Sequence, residues 1–179
     1  MKLESPIVTP RLILRSYRDA DRDFCLSLWC DEINGKYMAD PLFKNVDAKY
    51  LSCFDGMEDD PDGYYLIAES RADGRPVGTF CLFPENGNVD IGYCVAKERW
   101  REGLGSEMLA GALARIRERG GTSVTAEVAD ENAASLALLR KFGFSEGKKT
   151  RFKKRNEERV FESHVMVLTI GGRGAGEQE

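Results

Sequence analysis

The chain has 179 residues, with 42% hydrophobic and 31% charged side chains, a net charge of −4 and a pI near 5.3. That describes one folded domain able to bury a core without disulfide or metal staples. The acidic balance excludes a nucleic-acid binder held by bulk charge, the single histidine, His164, excludes a metal site built on several histidines, and no apolar run reaches the ~18–20 residues of a membrane span.

The cysteines Cys25, Cys30, Cys53, Cys81 and Cys94 are odd in number and contain no Cys-x-x-Cys pair. Free thiols in a reducing cytoplasm are expected. Met1–Pro6 lacks the apolar core of a secretory signal, in keeping with that expectation.

Arg11–Arg15 opens the chain as a short β-prone run. Asp19 and Asp21 supply N-cap chemistry, and Phe24, Cys25, Leu28 and Trp29 follow at helical spacing, predicting a helix through about Cys30. Residues 31–45 are irregular but carry Tyr37, Met38, Leu42 and Phe43, so this loop is a packed cover or a substrate-facing wall. Val46, Tyr50, Phe54 and Met57 predict a second helix, ending near 59–63. A β meander comes next: a strand over 64–69, a turn at Ala72–Arg75, a strand over 77–83, a turn at Pro84–Gly87, and a strand over 88–95 in which Val89, Ile91, Tyr93 and Val95 alternate with smaller or polar residues.

The period then changes. Leu104, Met108, Leu109, Ala112, Leu113 and Ile116 lie on one helical stripe that closes at Gly120-Gly121. A strand over 122–129, a helix over 132–142 closed by Gly143, and two strands near 148–154 and 160–170 complete the order β-α-α-β-β-β-α-β-α-β-β. This is an α+β pattern: a mixed, mainly antiparallel sheet of about six or seven strands with about four helices on its faces, in one domain over 1–170. Residues 171–179 have no apolar anchor and are expected to fray.

Two segments carry chemistry. Trp100-Arg101-Glu102-Gly103-Leu104-Gly105-Ser106-Glu107 joins a strand to the amphipathic helix. Glycines there let main-chain N–H groups converge on an anion, and the helix start adds unpaired donors and a positive dipole end. The same glycines also suit a tight loop needing positive φ and nothing more. No Gly-Lys-Ser/Thr follows, so it is not a P-loop, and Met108 stands where a dinucleotide fingerprint needs its third glycine. The second segment is Asn132-Ala133-Ala134-Ser135 running into Leu138-Leu139-Arg140-Lys141-Phe142-Gly143-Phe144. Asn132 and Ser135, three apart, can face one ligand from a first helical turn, or serve as an N-cap and a surface hydroxyl.

Together, in this order and about thirty residues apart, the two segments resemble the GNAT superfamily of N-acetyltransferases, with its Q/R-x-x-G-x-G/A motif and a following helix ending in K-x-G-F. Thr9-Pro10-Arg11-Leu12-Ile13-Leu14-Arg15, and Asp90-Ile91-Gly92-Tyr93 running into Trp100, resemble the RimJ/RimL-like subgroup. The resemblance spans roughly residues 8–169. It implies acetyl-CoA as co-substrate, no metal, and central strands that splay to form the acyl-CoA cleft. Its diphosphate would be met by the amides of Arg101, Gly103, Leu104, Gly105 and Ser106, its pantetheine arm by main-chain groups near Cys94 and Val95, and its other side by Asn132 and Ser135. Trp100 at the motif's first position is common in the subgroup. The family's usual general-acid tyrosine, two residues before the lysine of K-x-G-F, is Leu139 here.

Attack on a thioester needs a neutral amine, and neutralising a lysine amine or an α-amine at pH 7 costs about 4.6 or about 1.4 kcal/mol. A positioned carboxylate answers this. Asp90, beside Gly92, is the first candidate and Glu127, on the neighbouring strand, the second, unless both are solvated strand-face acids. A strand N–H near Val95 would meet the oxyanion. His164 reads as structural, direct transfer is preferred to an acyl-Cys94 intermediate, and the basic run Lys148–Arg155 reads as a solvated hairpin in preference to a docking surface for acidic substrates or nucleic acid. The expected activity is acetyl transfer from acetyl-CoA to a primary amine, a protein N-terminus or a small molecule, by a cytoplasmic monomer or homodimer that needs neither membrane nor nucleic acid. The alternative is a non-catalytic acyl-CoA-binding or regulatory module on the same fold; a nucleotide binder would rest on Gly103-x-Gly105 alone.

Overall fold

A computed structural model describes residues 3–170. The expected tail at 171–179 lies outside the described residues. Eight strands form one sheet: β1 (Ile7–Val8), β2 (Leu12–Ser16), β3 (Tyr64–Ser70), β4 (Pro76–Glu85), β5 (Asn88–Val95), β6 (Ser123–Ala129), β7 (Ser145–Lys153) and β8 (Val160–Thr169), in the order β1-β2-β3-β4-β5-β6-β8-β7. Four α-helices accompany it: α1 (Arg22–Trp29), α2 (Ala48–Leu51), α3 (Leu104–Glu118) and α4 (Ala133–Lys141). The sheet therefore has one strand more than the upper expectation. The addition is the two-residue edge strand β1, too short to leave a periodic signal.

The alternation of apolar residues assigns the two faces. Leu66 and Ala68 of β3, Phe80 and Leu82 of β4, Val89 and Ile91 of β5, Val124, Ala126 and Val128 of β6 and Met166 of β8 pack with the buried stripe of α3, Leu104 to Ile116, and with Leu139 of α4. Ile67 points the other way, into a second cluster with Tyr17, Cys25, Cys30, Tyr50 and Phe54 under α1 and α2. The period of two in the strands thus separates a helical floor from an aromatic cover. At the β4–β5 hairpin, Asn86 and Gly87 both take positive φ, 49° and 82°, matching the right-handed twist of the strands they join.

The second helix is shorter than its spacing predicts. α2 ends at Leu51, and 3-10 turns at Ser52–Phe54 and Met57–Asp59 carry the rest, because the chain turns through Gly56 at φ 81°. Tyr50 and Phe54 are still buried there, so the spacing reported a packed face and overstated its regularity.

The basic run is also not uniformly solvated, which corrects that expectation. Lys154 is 2% exposed and donates to Gly35 O at 2.8 Å and Met38 O at 3.1 Å. Arg155 N–H bonds Ala39 O, and the Glu157 carboxylate accepts from Leu42 N–H. The β7–β8 turn is fastened in this way to the 31–45 loop.

All pairings are antiparallel except β5 with β6. That parallel ladder holds only Asn88↔Ser123, Val89↔Val124 and Asp90↔Thr125. Beyond Asp90, β5 stays with β4 as far as Val95, while β6 stays with β8 as far as Ala129. Each strand keeps its outer neighbour and gives up the inner one, so the middle of the sheet opens into a fork.

Candidate active site

The fork leads to the start of α3. Trp100 is extended, Arg101 is left-handed at φ 66°, and Gly103 is left-handed at φ 79°. Arg101 is a strained position for a side-chain-bearing residue, costing of order 1–3 kcal/mol. Among the described residues, no protein group accepts a hydrogen bond from the main-chain N–H of Arg101, Glu102, Gly103, Leu104, Gly105 or Ser106; the first amide in this stretch with a partner is Glu107, bonded to Gly103 O. Six donors at one helix start are thus left for a ligand, and the dipole favours an anion.

Glu107, an acid in the first turn of α3, would oppose an anion but is drawn back. Its carboxylate accepts from Thr9 Oγ1 at 2.6 Å, Arg11 N at 2.7 Å and Arg11 Nε at 2.7 Å, while Arg11 Nη1 reaches Glu102 O at 2.9 Å. These bonds hold the Glu107 carboxyl below its ordinary pKa, although partial burial pushes the other way. The opening Thr9-Pro10-Arg11 motif therefore braces the glycine loop, a role its sequence position does not announce.

At the other end of the loop, Trp100 Nε1 donates to Val95 O at 2.7 Å, and Asn34 Nδ2 donates to the same carbonyl at 2.8 Å. The Ala96 N–H bond to Val77 O and the register Thr79↔Cys94 turn the main-chain groups of Cys94 toward β4 and those of Val95 toward the fork. Of the two positions expected to pair with an arm in the cleft, only Val95 faces it, and its carbonyl is already occupied.

On the α3 face, Tyr93 Oη and Ser135 Oγ lie 2.7 Å apart, bridging β5 to the first turn of α4. Burial pushes the Tyr93 phenol up to about 12, against the opposing effect of Ser135. Asn132 caps α4 through its side-chain oxygen, which accepts from Ser135 N–H at 3.2 Å. Leu139 is fully buried in the core, so it presents nothing to the cleft. The sequence gives Tyr93 a place in the alternating strand and in the Asp90-Ile91-Gly92-Tyr93 motif, but no chemical role.

On the opposite face, Asp90 stands at the last paired residue before the fork and accepts from Thr125 Oγ1 at 2.8 Å. Partial burial raises its pKa, the Thr125 bond lowers it, and the Glu127 charge raises it again. Glu127 Oε1 accepts from Thr150 Oγ1 at 2.6 Å and Ser163 Oγ at 2.7 Å. The two acids share one face of adjacent strands, Asp90 at the last paired position and Glu127 two residues further along β6, past the end of the ladder. Cys94 is buried and its thiol pushed up to about 11, so it is protonated at neutral pH and a poor nucleophile. His164 pairs through Nδ1 with Asp130 Oδ1 at 2.7 Å, away from these groups.

A forked sheet with free main-chain amides beside it can take an extended ligand that carries an anionic group. The chain matches the acetyltransferase (GNAT) domain over residues 11–145 and belongs to that family. The uncharacterized N-acetyltransferase p20 of Bacillus licheniformis is 26% identical over 175 residues, covering 90% of this chain and 94% of that protein. The spermidine N-acetyltransferase of Vibrio cholerae, solved in complex with CoA and spermine, superposes with a TM-score of 0.75 at 17% identity, covering 89% of this chain and 95% of that one. The ribosomal-protein-alanine N-acetyltransferase of Brucella melitensis does so with a TM-score of 0.69 at 23% identity, covering 88% and 99%. At these identities the two solved structures show the shared fold. Among the described residues no helix is long and apolar enough to cross a membrane, and all five cysteines are free thiols.

Proposed function

We propose that this GNAT-family acetyltransferase uses acetyl-CoA to acetylate a primary amine by direct attack on the thioester, with a protein N-terminus or a small amine as acceptor. The observation that carries the proposal is the set of unpaired amides from Arg101 to Ser106 at the mouth of the β5–β6 fork. In this reading the diphosphate lies on the amides of Arg101, Gly103, Leu104, Gly105 and Ser106, and the arm runs down the fork past Val95 N–H and Ser135. Asn132 serves the ligand mainly by fixing the first turn of α4.

The residues then divide the proton chemistry. Asp90 takes the proton from the attacking amine, with Glu127 on the adjacent strand as the second candidate. The amine nitrogen forms its bond to the acetyl carbon while the carbon–sulfur bond breaks. Ser135, hydrogen-bonded to Tyr93, gives a proton to the departing thiolate and recovers one through the phenol and solvent. That hydroxyl pair supplies what Leu139 does not, which is the reason for preferring an enzyme over a non-catalytic acyl-CoA-binding module. The bracing of Glu107 by Thr9 and Arg11 supports a RimJ/RimL-like assignment, since it gives the opening motif a task at the CoA loop. The free thiols support a cytoplasmic setting.

Release of free thiol from acetyl-CoA over a panel of amines and N-terminal peptides tests the activity. Turnover with at least one acceptor is expected. Silence across the panel, with CoA still raising the thermal midpoint, would establish the binding module instead.

A further inference from the structure

On the aromatic side of the sheet lies a cavity of about 230 Å³ that the acetyl-transfer chemistry does not use. It starts beside Gly92 and Cys81, on the strand face that carries Asp90, and runs under α1 and α2. Trp29, Tyr50, Phe54 and Tyr65 wall it, with Trp29 stacked on Phe54 at 5.6 Å and Tyr50 edge-on to Phe54 at 5.9 Å. Its volume falls below the ~300–1,000 Å³ of pockets that enclose a whole small-molecule ligand, and suits one arm of a larger acceptor.

Two polar groups inside it are under-used. Tyr17 is 2% exposed, lines the cavity, and its hydroxyl has no hydrogen-bond partner among the described residues. A buried hydroxyl left unpaired is costly and rare, and marks a place where a ligand group or an ordered water belongs. Asp40 also lines the cavity and accepts from Tyr50 Oη at 2.8 Å. The neighbouring cations do not neutralise it by contact. Lys154 spends its ammonium on Gly35 O and Met38 O and Arg155 lies over the Tyr50 ring at 5.8 Å, so both act on Asp40 through their charge alone, against a desolvation that raises its pKa. A carboxylate among aromatic faces is a cation receptor: the charge is met by the carboxylate and the rings add cation–π attraction.

We propose that the acceptor carries a second, cationic nitrogen a few bonds from the amine that is acetylated, and that this nitrogen seats against Asp40 in the aromatic cavity while Tyr17 Oη takes a hydrogen bond from the same arm. The inference rests on the amine-acetylation reading and names the acceptor class for it. Arg155 at the cavity is the competing feature, since an acceptor bearing an anion would turn to it instead.

Three acceptors of similar length separate these cases: 1,4-diaminobutane, n-butylamine and 4-aminobutanoate. The wild-type chain is expected to acetylate the diamine with a kcat/KM at least tenfold above the other two. Asp40→Asn should erase that preference through KM for the diamine, leaving kcat and the KM for acetyl-CoA nearly unchanged. Equal use of all three, preference for 4-aminobutanoate, or an undiminished preference in Asp40→Asn would overturn the proposal.

Calorimetry of 1,4-diaminobutane binding to the CoA-saturated protein reads the cavity without turnover. It should show saturable binding that weakens at least tenfold in Asp40→Asn, and absence of binding to the wild type would also overturn the proposal. If the diamine binds in this way but no thiol is released, the cavity assignment stands and the catalytic reading falls. Tyr17→Phe guards against misfolding: removing an unpaired buried hydroxyl should leave the thermal midpoint unchanged or higher while weakening the diamine several-fold. A diamine affinity unaffected by Tyr17→Phe would remove Tyr17 from the site.

Discussion

Asp90 has to be charged to act as a base, yet its position at the fork disfavours charge. Partial desolvation by the surrounding strands and the Glu127 carboxylate both raise its pKa, while the Thr125 hydroxyl and the Ile91 main-chain N–H work against them. Raising a carboxyl pKa in the folded state weakens the fold where the group is ionised: the penalty is absent below the unfolded value near 3.9 and complete above the folded one. Asp90→Asn should therefore match or exceed the wild-type thermal midpoint at pH 7, the difference closing as the pH drops below about 4. The same variant should lose roughly 10²–10⁴ in kcat/KM while binding acetyl-CoA nearly as well. Steady-state kinetics and thermal melts across pH check both halves, and unchanged turnover at pH 7 would remove Asp90 from the reaction. Asp90 is a candidate from sequence because it stands two residues before Gly92 in an alternating strand, ahead of Ile91-Gly92-Tyr93. Asp40 and Tyr17 are not: their shared cavity is built by residues far apart in the chain, and nothing local marks either side chain.

The proposed ligand binding turns on the start of α3, and its two glycines do different work. Gly103 is left-handed, so a side chain there is strained whatever the space around it. Gly105 is helical, and an added Cβ would meet Leu138 Cδ2 at 3.4 Å and Val95 Cγ2 at 3.7 Å, which is ordinary contact. Gly105→Ala should hold or raise the thermal midpoint, since alanine is favoured over glycine in a helix by up to about 1 kcal/mol. Its methyl would nevertheless narrow the passage between Val95 and Leu138, and CoA affinity should fall tenfold or more, about 1.4 kcal/mol. Melting and calorimetry on one variant separate the two readings of the glycine loop, because a glycine kept only for tight turning would lose stability and affinity together. Helix α3 was plain in the sequence through its long apolar stripe. The second helix was overestimated because Val46, Tyr50, Phe54 and Met57 keep a helical spacing across a segment that Gly56 breaks into 3-10 turns.

Over the whole molecule, local patterning accounts for the strands, their faces and most turns, while the functional geometry comes from long-range choices. The fork exists because β5 keeps β4 and β6 keeps β8 beyond Asp90, and no single strand's alternation encodes that; the family resemblance foresaw it and the periodicity did not. The bracing of Glu107 by Thr9 and Arg11 joins residues almost a hundred positions apart, and Lys154 is buried because a distant loop offers it carbonyls. The proposed activity depends on free main-chain amides at the start of α3 holding the diphosphate of CoA. Amide chemical shifts of the isotopically labelled protein during titration with CoA, 3′-dephospho-CoA and pantetheine test it most directly. The N–H signals of Arg101 and Gly103 through Ser106 should move in a saturable manner with the two diphosphate-bearing ligands and scarcely at all with pantetheine. If CoA binds and those signals stay in place, the diphosphate lies elsewhere and the account is wrong.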